Sequence, residues 1–125
     1  MEITLNHTIV PCSDKVFSAR FYERIFGFQF LKVWGHFALV RVNSSLTLDF
    51  DESTGFSHNH YAFKVSHEQF SAIFERVKQE GMDYGSGPGH LDDGQVNHRN
   101  NGSGVYFRDP DGHVLEILTR DYKID

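Results

Sequence analysis

Three side chains stand out for the chemistry they could do together. His7 and His60 are imidazoles set among apolar residues, and Glu116 is a carboxylate between Leu115 and Ile117. Two neutral imidazoles and one carboxylate form a permissive donor set. It suits Fe(II), Mn(II), Ni(II), Co(II) or Zn(II) and leaves positions open for the oxygens of a small substrate. One divalent ion per site is therefore the expected cofactor. A single histidine alternating with apolar residues is usually an ordinary strand residue, so the case for a shared site rests on how the chain places the three.

The chain repeats itself. The offset that lays His7 on His60 also aligns Asn6 with Asn59, Ser13 with Ser66, Phe17 with Phe70, Ser18 with Ser71, Ala19 with Ala72 and Phe21 with Phe74. The identities cluster in one short window of each half, which points to two copies of one unit. Each copy opens on an alternating strand, Ile3 to Val10 and His60 to Val65. A helix follows. In the first copy Ser13 is the expected N-cap, Phe17, Phe21 and Ile25 share a face, and Gly27 is the stop. In the second, Ser66 with Gln69 resembles a capping box, Phe70, Ile73, Phe74 and Val77 form the apolar face, and Gly81 ends the helix. Three strands then follow. In copy one they are Phe28 to Val33, Phe37 to Val42 and Leu46 to Phe50. In copy two they are Met82 to Tyr84 or Gln95 to His98, then Val105 to Arg108, then His113 to Leu118. The stretch Gly85 to Gly104, rich in Gly, Asn, Asp and His, reads as a long loop of the kind that often serves function. The expected architecture is α+β, two βαβββ modules forming a curved sheet around a metal-binding cleft. It makes one domain over 1–125, with module one about 1–52 and module two about 57–122.

Strand alternation sorts the faces. Tyr61, Phe63 and Val65 suit helix packing, which leaves His60 and Ala62 on the other side. Leu115 and Ile117 likewise leave Val114, Glu116 and Leu118 on the open side. His7 holds the position equivalent to His60, and approximate twofold packing of the copies sets the two histidines across a shared cleft. Aligning Leu48-Asp49-Phe50 with Leu115-Glu116-Ile117 nominates Asp49 as the fourth, symmetry-related position.

Composition narrows the function classes. A chain of 125 residues with net charge -5 and no basic stripe does not read as a nucleic-acid binder. It has no apolar run long enough to span a bilayer, and MEITLNHTIV lacks the features of a signal peptide, which suggests the cytoplasm. The single cysteine, Cys12, excludes an intrachain disulfide framework.

The residues resemble a known family. Leu5-Asn6-His7, Ala19-Arg20-Phe21-Tyr22 through Phe26-Gly27-Phe28, His60-Tyr61-Ala62-Phe63, and Val105-Tyr106-Phe107-Arg108-Asp109-Pro110-Asp111-Gly112-His113 followed by Leu115-Glu116 look like the glyoxalase/bleomycin-resistance/dioxygenase proteins, the vicinal-oxygen-chelate superfamily. Asp-Pro-Asp-Gly makes the turn that delivers Glu116. The resemblance implies paired βαβββ modules around a metal, a small-molecule substrate and a homodimer, with one site drawing ligands from both subunits.

Within that superfamily, Val96-Asn97-His98, Val105-Tyr106, Asp109-Pro110 and Gly112 to Glu116 are similar to the extradiol ring-cleaving dioxygenase signature. This is the leading expectation. The likeness makes His98 and Tyr106 active-site residues that hydrogen-bond a catecholate oxygen and the oxygen chemistry. The histidine expected on the strand before the second ligand is replaced by Asp49. Glyoxalase I is the alternative. It carries a glutamate at the Asp49 position and moves a proton between adjacent carbons. Fosfomycin thiol transferases share the His-Tyr-Ala-Phe and Asp-Pro-Asp-Gly-His segments and a tyrosine at the Tyr106 position. A drug-sequestering binding protein of the same fold is the non-enzyme alternative.

Overall fold

The computed structural model describes residues 2–124; Met1 and Asp125, the ends of the expected span 1–125, lie outside them. The chain forms two compact units divided between Ser57 and His58. The first runs β1 (His7–Cys12), α1 (Lys15–Phe26), β2 (Gln29–Trp34), β3 (Phe37–Arg41) and β4 (Thr47–Glu52). The second runs β5 (His60–Lys64), α2 (His67–Gln79), β6 (Tyr84–Gly85), a 3-10 turn (Arg99–Asn101), β7 (Gly104–Arg108) and β8 (Val114–Leu118). Each is a βαβββ module, and the chain is α+β as expected.

The two sheets have the same topology. Their orders are β1-β4-β3-β2 and β5-β8-β7-β6. The first strand of each pairs in parallel with the last, and the other neighbours are antiparallel. The match extends to single bonds. The Asn6 carbonyl accepts from Thr47 N–H at 3.0 Å, and its repeat partner Asn59 accepts from Val114 N–H at 2.9 Å.

In the first unit α1 packs on β2, β3 and β4. Buried Tyr22 meets Phe50 at 4.9 Å between ring centroids and stacks on Phe26. Gly27 adopts φ +79 and ends the helix as expected, its N–H donating to the Glu23 carbonyl. Three details differ from the sequence expectation. The N-cap is Asp14, whose side chain accepts from Phe17 N–H, rather than Ser13. Phe17 is 62% exposed, because the buried stripe runs through Ser18, Tyr22 and Ile25 and leaves it at the edge. The first strand begins at His7, not Ile3. Its partner β4 starts only after a turn in which the Asn43 side chain accepts the N–H groups of Ser45 and Leu46, so the residues before His7 have no strand to pair with.

In the second unit the Ser66–Gln69 capping box is formed. Phe70, Ile73 and Val77 are buried, and Phe74 is half-buried with its ring edge-on to Tyr84. β6 is only two residues long, and Asn97 adds a single bridge to Gly104. Gly85 must be glycine, since a Cβ there would lie 1.6 Å from the His90 carbonyl oxygen. The long loop fastens itself. Asp93 Oδ1 accepts from Ser86 and Gln95 N–H at 3.0 Å each, and Gly94 N–H donates to the Tyr84 carbonyl at 2.9 Å.

Candidate metal centre

The Asp-Pro-Asp-Gly turn sets the geometry of the second unit. Gly112 takes φ +87, and one Asp109 oxygen accepts the N–H groups of Asp111 and His113 at 2.9 Å each. His113 is fully buried. Its Nδ1 accepts Asn59 N–H at 2.9 Å, while Val114 N–H donates to the Asn59 carbonyl. These bonds fasten the head of β5 to the head of β8. They fix a register in which His60 faces Val114 and Ala62 faces Glu116. Residues of one sheet face then alternate as expected: His60 and Ala62 are exposed, while Leu115 and Ile117 are buried. On the open face His60 Nε2 and Glu116 Oε1 stand 3.1 Å apart, with the Glu116 side chain 14% exposed.

Tyr106 completes this group. Antiparallel pairing puts it directly opposite Glu116, and its hydroxyl donates to that carboxylate. Its ring centroid lies 5.8 Å from that of His60. Arg99 Nη1 donates to the Tyr106 oxygen at 3.2 Å, and Arg99 Nη2 to the Ser86 carbonyl at 3.1 Å. Burial holds the phenol above its ordinary range, the Glu116 carboxylate adds to this, and Arg99 pulls partly back. Tyr106 therefore remains a donor at neutral pH. The β7 strand is buried on both faces up to Phe107 because the loop lies over the Tyr106 side. Arg108 escapes at the strand end and donates to the Gly112 carbonyl at 3.2 Å.

Arg99 has no sequence periodicity to reveal it. The available signal is the Asn100-Asn101-Gly102 run. Both asparagines adopt positive φ, +58 and +63, which asparagine tolerates better than most residues. That turn folds the chain back so that Asn97 and Arg99 reach β7. His98 lies between them, but its Nδ1 is 3.2 Å from the Gly102 carbonyl, and it is not among the residues lining the cavity beside Glu116.

His7 and Asp49 occupy the matching positions of the first unit. His7 opens β1 opposite Thr47, and Ile9 stands opposite Asp49. His7 Nδ1 lies 2.7 Å from the Asn6 side-chain oxygen. An amide oxygen can only accept, so this contact leaves Nε2 as the ring nitrogen free of the Asn6 side chain. Asp49 is buried and accepts the Thr47 hydroxyl at 3.0 Å. Among the described residues no three His, Cys, Asp or Glu side chains gather into a metal-holding group. Within the second unit the donors form a pair, His60 and Glu116.

Two cavities flank Glu116. One of about 200 Å3 is lined by Asn97, Arg99, Tyr106 and Arg120, and a larger one of about 850 Å3 by Ala62, Leu118, Tyr122 and Ile124; Glu116 borders both. An imidazole nitrogen and a carboxylate oxygen converging on one open face, with the carboxylate steadied by a phenol, fit a divalent ion of the borderline class.

Comparison with known proteins gives the family. The model of the Glyoxalase/Bleomycin resistance protein/Dioxygenase superfamily matches residues 4–117. The solved structure titled "Oxidase ChaP-H2" is 44% identical, with a TM-score of 0.93 over 98% of this chain and 97% of that one. "Oxidase ChaP-H1" is also 44% identical, with a TM-score of 0.91 over 98% and 100%. The metallothiol transferase FosB of Lysinibacillus sphaericus (strain C3-41) is 28% identical over 93% of this chain and 82% of its own length. The chain belongs to the glyoxalase/bleomycin-resistance/dioxygenase superfamily, the vicinal-oxygen-chelate proteins.

Proposed function

We propose that the protein is a metal-dependent oxidase that takes a small substrate through two adjacent oxygens and uses dioxygen in the manner of an extradiol dioxygenase. The observation that carries this is the His60–Glu116 pair, 3.1 Å apart on an open sheet face with the Tyr106 hydroxyl on the same carboxylate. The likeness to two proteins named oxidases, at 44% identity over nearly the whole chain, favours oxygen chemistry.

His7, His60 and Glu116 are the ligands in this reading. They would hold a redox-active divalent ion, which when bound would supply chelation of vicinal oxygens and a path for electrons to dioxygen. Tyr106 turns its one hydroxyl proton from Glu116 to a substrate oxygen when the substrate binds, and the bond from Arg99 keeps the phenol oxygen in place. Asp49 is the acid–base group contributed by the first unit. His7 and the His60–Glu116 pair come from different chains of a homodimer, so each site is completed by a second copy.

The test is anaerobic Fe(II) reconstitution followed by oxygen-electrode assays with catechol-type diols. Oxygen uptake is the expected result, and its absence with every diol rejects the reading. A second reading is transfer of a thiol to a small electrophile, favoured by the metallothiol transferase and glutathione transferase among the relatives at 28% and 27% identity. Metal-dependent thiol consumption without oxygen uptake marks that outcome.

A further inference from the structure

Glu116 and Leu118, two residues apart on the open face of β8, border both the cavity of about 200 Å3 and the cavity of about 850 Å3. Tyr122 borders both as well, and it does not belong to the sheet. Its side chain therefore stands between the two spaces, beside the reactive carboxylate.

The chain brings Tyr122 there on a short segment held firmly at one end only. Thr119 is fastened twice to the loop. Its N–H donates to the Ser103 carbonyl at 3.0 Å, and its hydroxyl accepts Ser103 N–H at 2.9 Å. Beyond it the hold is slight. Asp121 meets Lys64 of β5 at 3.1 Å, but the two side chains are 81% and 58% exposed, so the pair contributes little. Tyr122 is 69% exposed and has no hydrogen-bond or ring partner among the described residues, and Ile124 is 90% exposed. A segment tethered in this way can swing about Arg120 at small cost. It carries two apolar side chains that gain from being covered.

The sheet face opposite suits a flat molecule. Ala62 pairs with Glu116, so only a methyl group stands beside the carboxylate on that side, and Leu118 continues the apolar floor. Lys64, Asp121 and Lys123 border the larger cavity too, which confines its apolar part to Ala62, Leu118, Tyr122 and Ile124. The apolar surface thus suits one ring with a polar margin rather than a long chain.

We infer that Asp121–Ile124 is a strap that closes over the substrate, and that Tyr122 is a specificity-determining residue that packs its ring on a planar aromatic ring seated over Ala62 and Leu118. Offset or edge-on packing of two aromatic rings adds to the effect of simple burial, and a puckered saturated ring offers no such face. The inference rests on the proposed function for placing the substrate at Glu116, and not for its oxidation.

The test is anaerobic binding of fluorocatechol and of the fluorinated cis-diol of cyclohexane, followed by fluorine NMR. Wild type, Tyr122→Phe, Tyr122→Leu and Tyr122→Ala are compared as full chains at matched metal content. Fluorocatechol affinity should fall roughly tenfold in Tyr122→Leu and Tyr122→Ala and stay within about twofold of wild type in Tyr122→Phe. The cyclohexane diol should bind more weakly to wild type and change by less than about twofold among the variants. Urea midpoints should agree across all four proteins, since the side chain is mostly exposed. Fluorocatechol binding that is absent in wild type or untouched in Tyr122→Leu overturns the inference. So does a cyclohexane diol that binds as tightly as fluorocatechol, or an equal loss for both diols. Ring-dependent binding without oxygen uptake on any diol rejects the oxidase reading and leaves the strap standing. Oxygen uptake with the same KM in wild type and Tyr122→Leu does the reverse.

Discussion

Asp49 holds the same register position in the first sheet that Glu116 holds in the second. Asp49 pairs with Ile9 and Glu116 with Ala62, each partner lying two residues beyond the histidine that opens its strand. The surroundings differ. Opposite Glu116 stands Tyr106, whereas opposite Asp49 stands Leu39. Glu116 meets an imidazole and a phenol, and Asp49 is satisfied by the Thr47 hydroxyl.

That difference separates two carboxylate variants. Glu116→Ala should weaken metal binding by at least the roughly 10- to 100-fold that loss of an outer-shell partner costs. His60→Ala and His7→Ala should behave alike. Asp49→Asn should retain the metal and lose turnover. Metal analysis of the four purified variants, with steady-state rates for Asp49→Asn, checks this. Unchanged metal content in all three ligand variants would sink the metal centre.

Tyr106→Phe removes a donor without changing the shape of the site. Turnover should fall about a hundredfold at unchanged metal content. Stability should fall by about 1 kcal/mol, since Arg99 Nη1 and Glu116 each lose a partner but remain within reach of water. Rates and urea midpoints measure the two effects separately.

Mixing tests the shared site. His7→Ala and Glu116→Ala homodimers, unfolded and refolded together, should form heterodimers with one intact site and one doubly damaged site. If ligands come from different chains, roughly a quarter of wild-type metal and activity returns. If each chain holds its own ion, the mixture stays as inactive as its parents.

The loop carrying Arg99 should loosen in acid. Asp93 lies below its ordinary value of 3.8, chiefly because it accepts the Ser86 hydroxyl, with further help from the Gln95 and Ser86 N–H groups and nearby His90. The folded form thus favours the carboxylate. Its contribution is complete above the unfolded value and is lost as pH falls through the depressed folded one. Amide shifts of Ser86 and Gln95 should move together between about pH 5 and about pH 2 in wild type. In Asp93→Asn they should be flat over that range.

Buried His113 ties Asn59 to β8, and its loss should be felt globally. His113→Ala leaves the Asn59 N–H unpaired and opens a cavity, for a cost of about 2–4 kcal/mol. Denaturant titration reads it directly.

Much of this was open to reading in the chain. The His60 and Glu116 faces follow from period-two alternation, because Tyr61, Phe63, Leu115 and Ile117 leave only one side for them. The repeat set Asp49 against Glu116 because duplicated units keep their register. The Asn6 and Asn59 carbonyl bonds show that register conserved between the two sheets. The loop was not readable in the same way. Its course depends on side chains bonding backbone groups at irregular spacing, as when Asp93 gathers Ser86 and Gln95, so Arg99 rather than His98 arrives at Tyr106. Phe17 escapes the helical pattern for a smaller reason. A one-residue change of cap, from Ser13 to Asp14, accompanies a stripe that passes beside it.

The turn that fixes His60 against Glu116 and the loop that brings up Arg99 are separate pieces of chain, each fastened by its own hydrogen bonds. Inheritance can act on them independently. Exchanges within Ser86–Ser103 can reshape the wall beside Tyr106 while the reactive pair stays as it is, so descendants of this scaffold can vary one without disturbing the other.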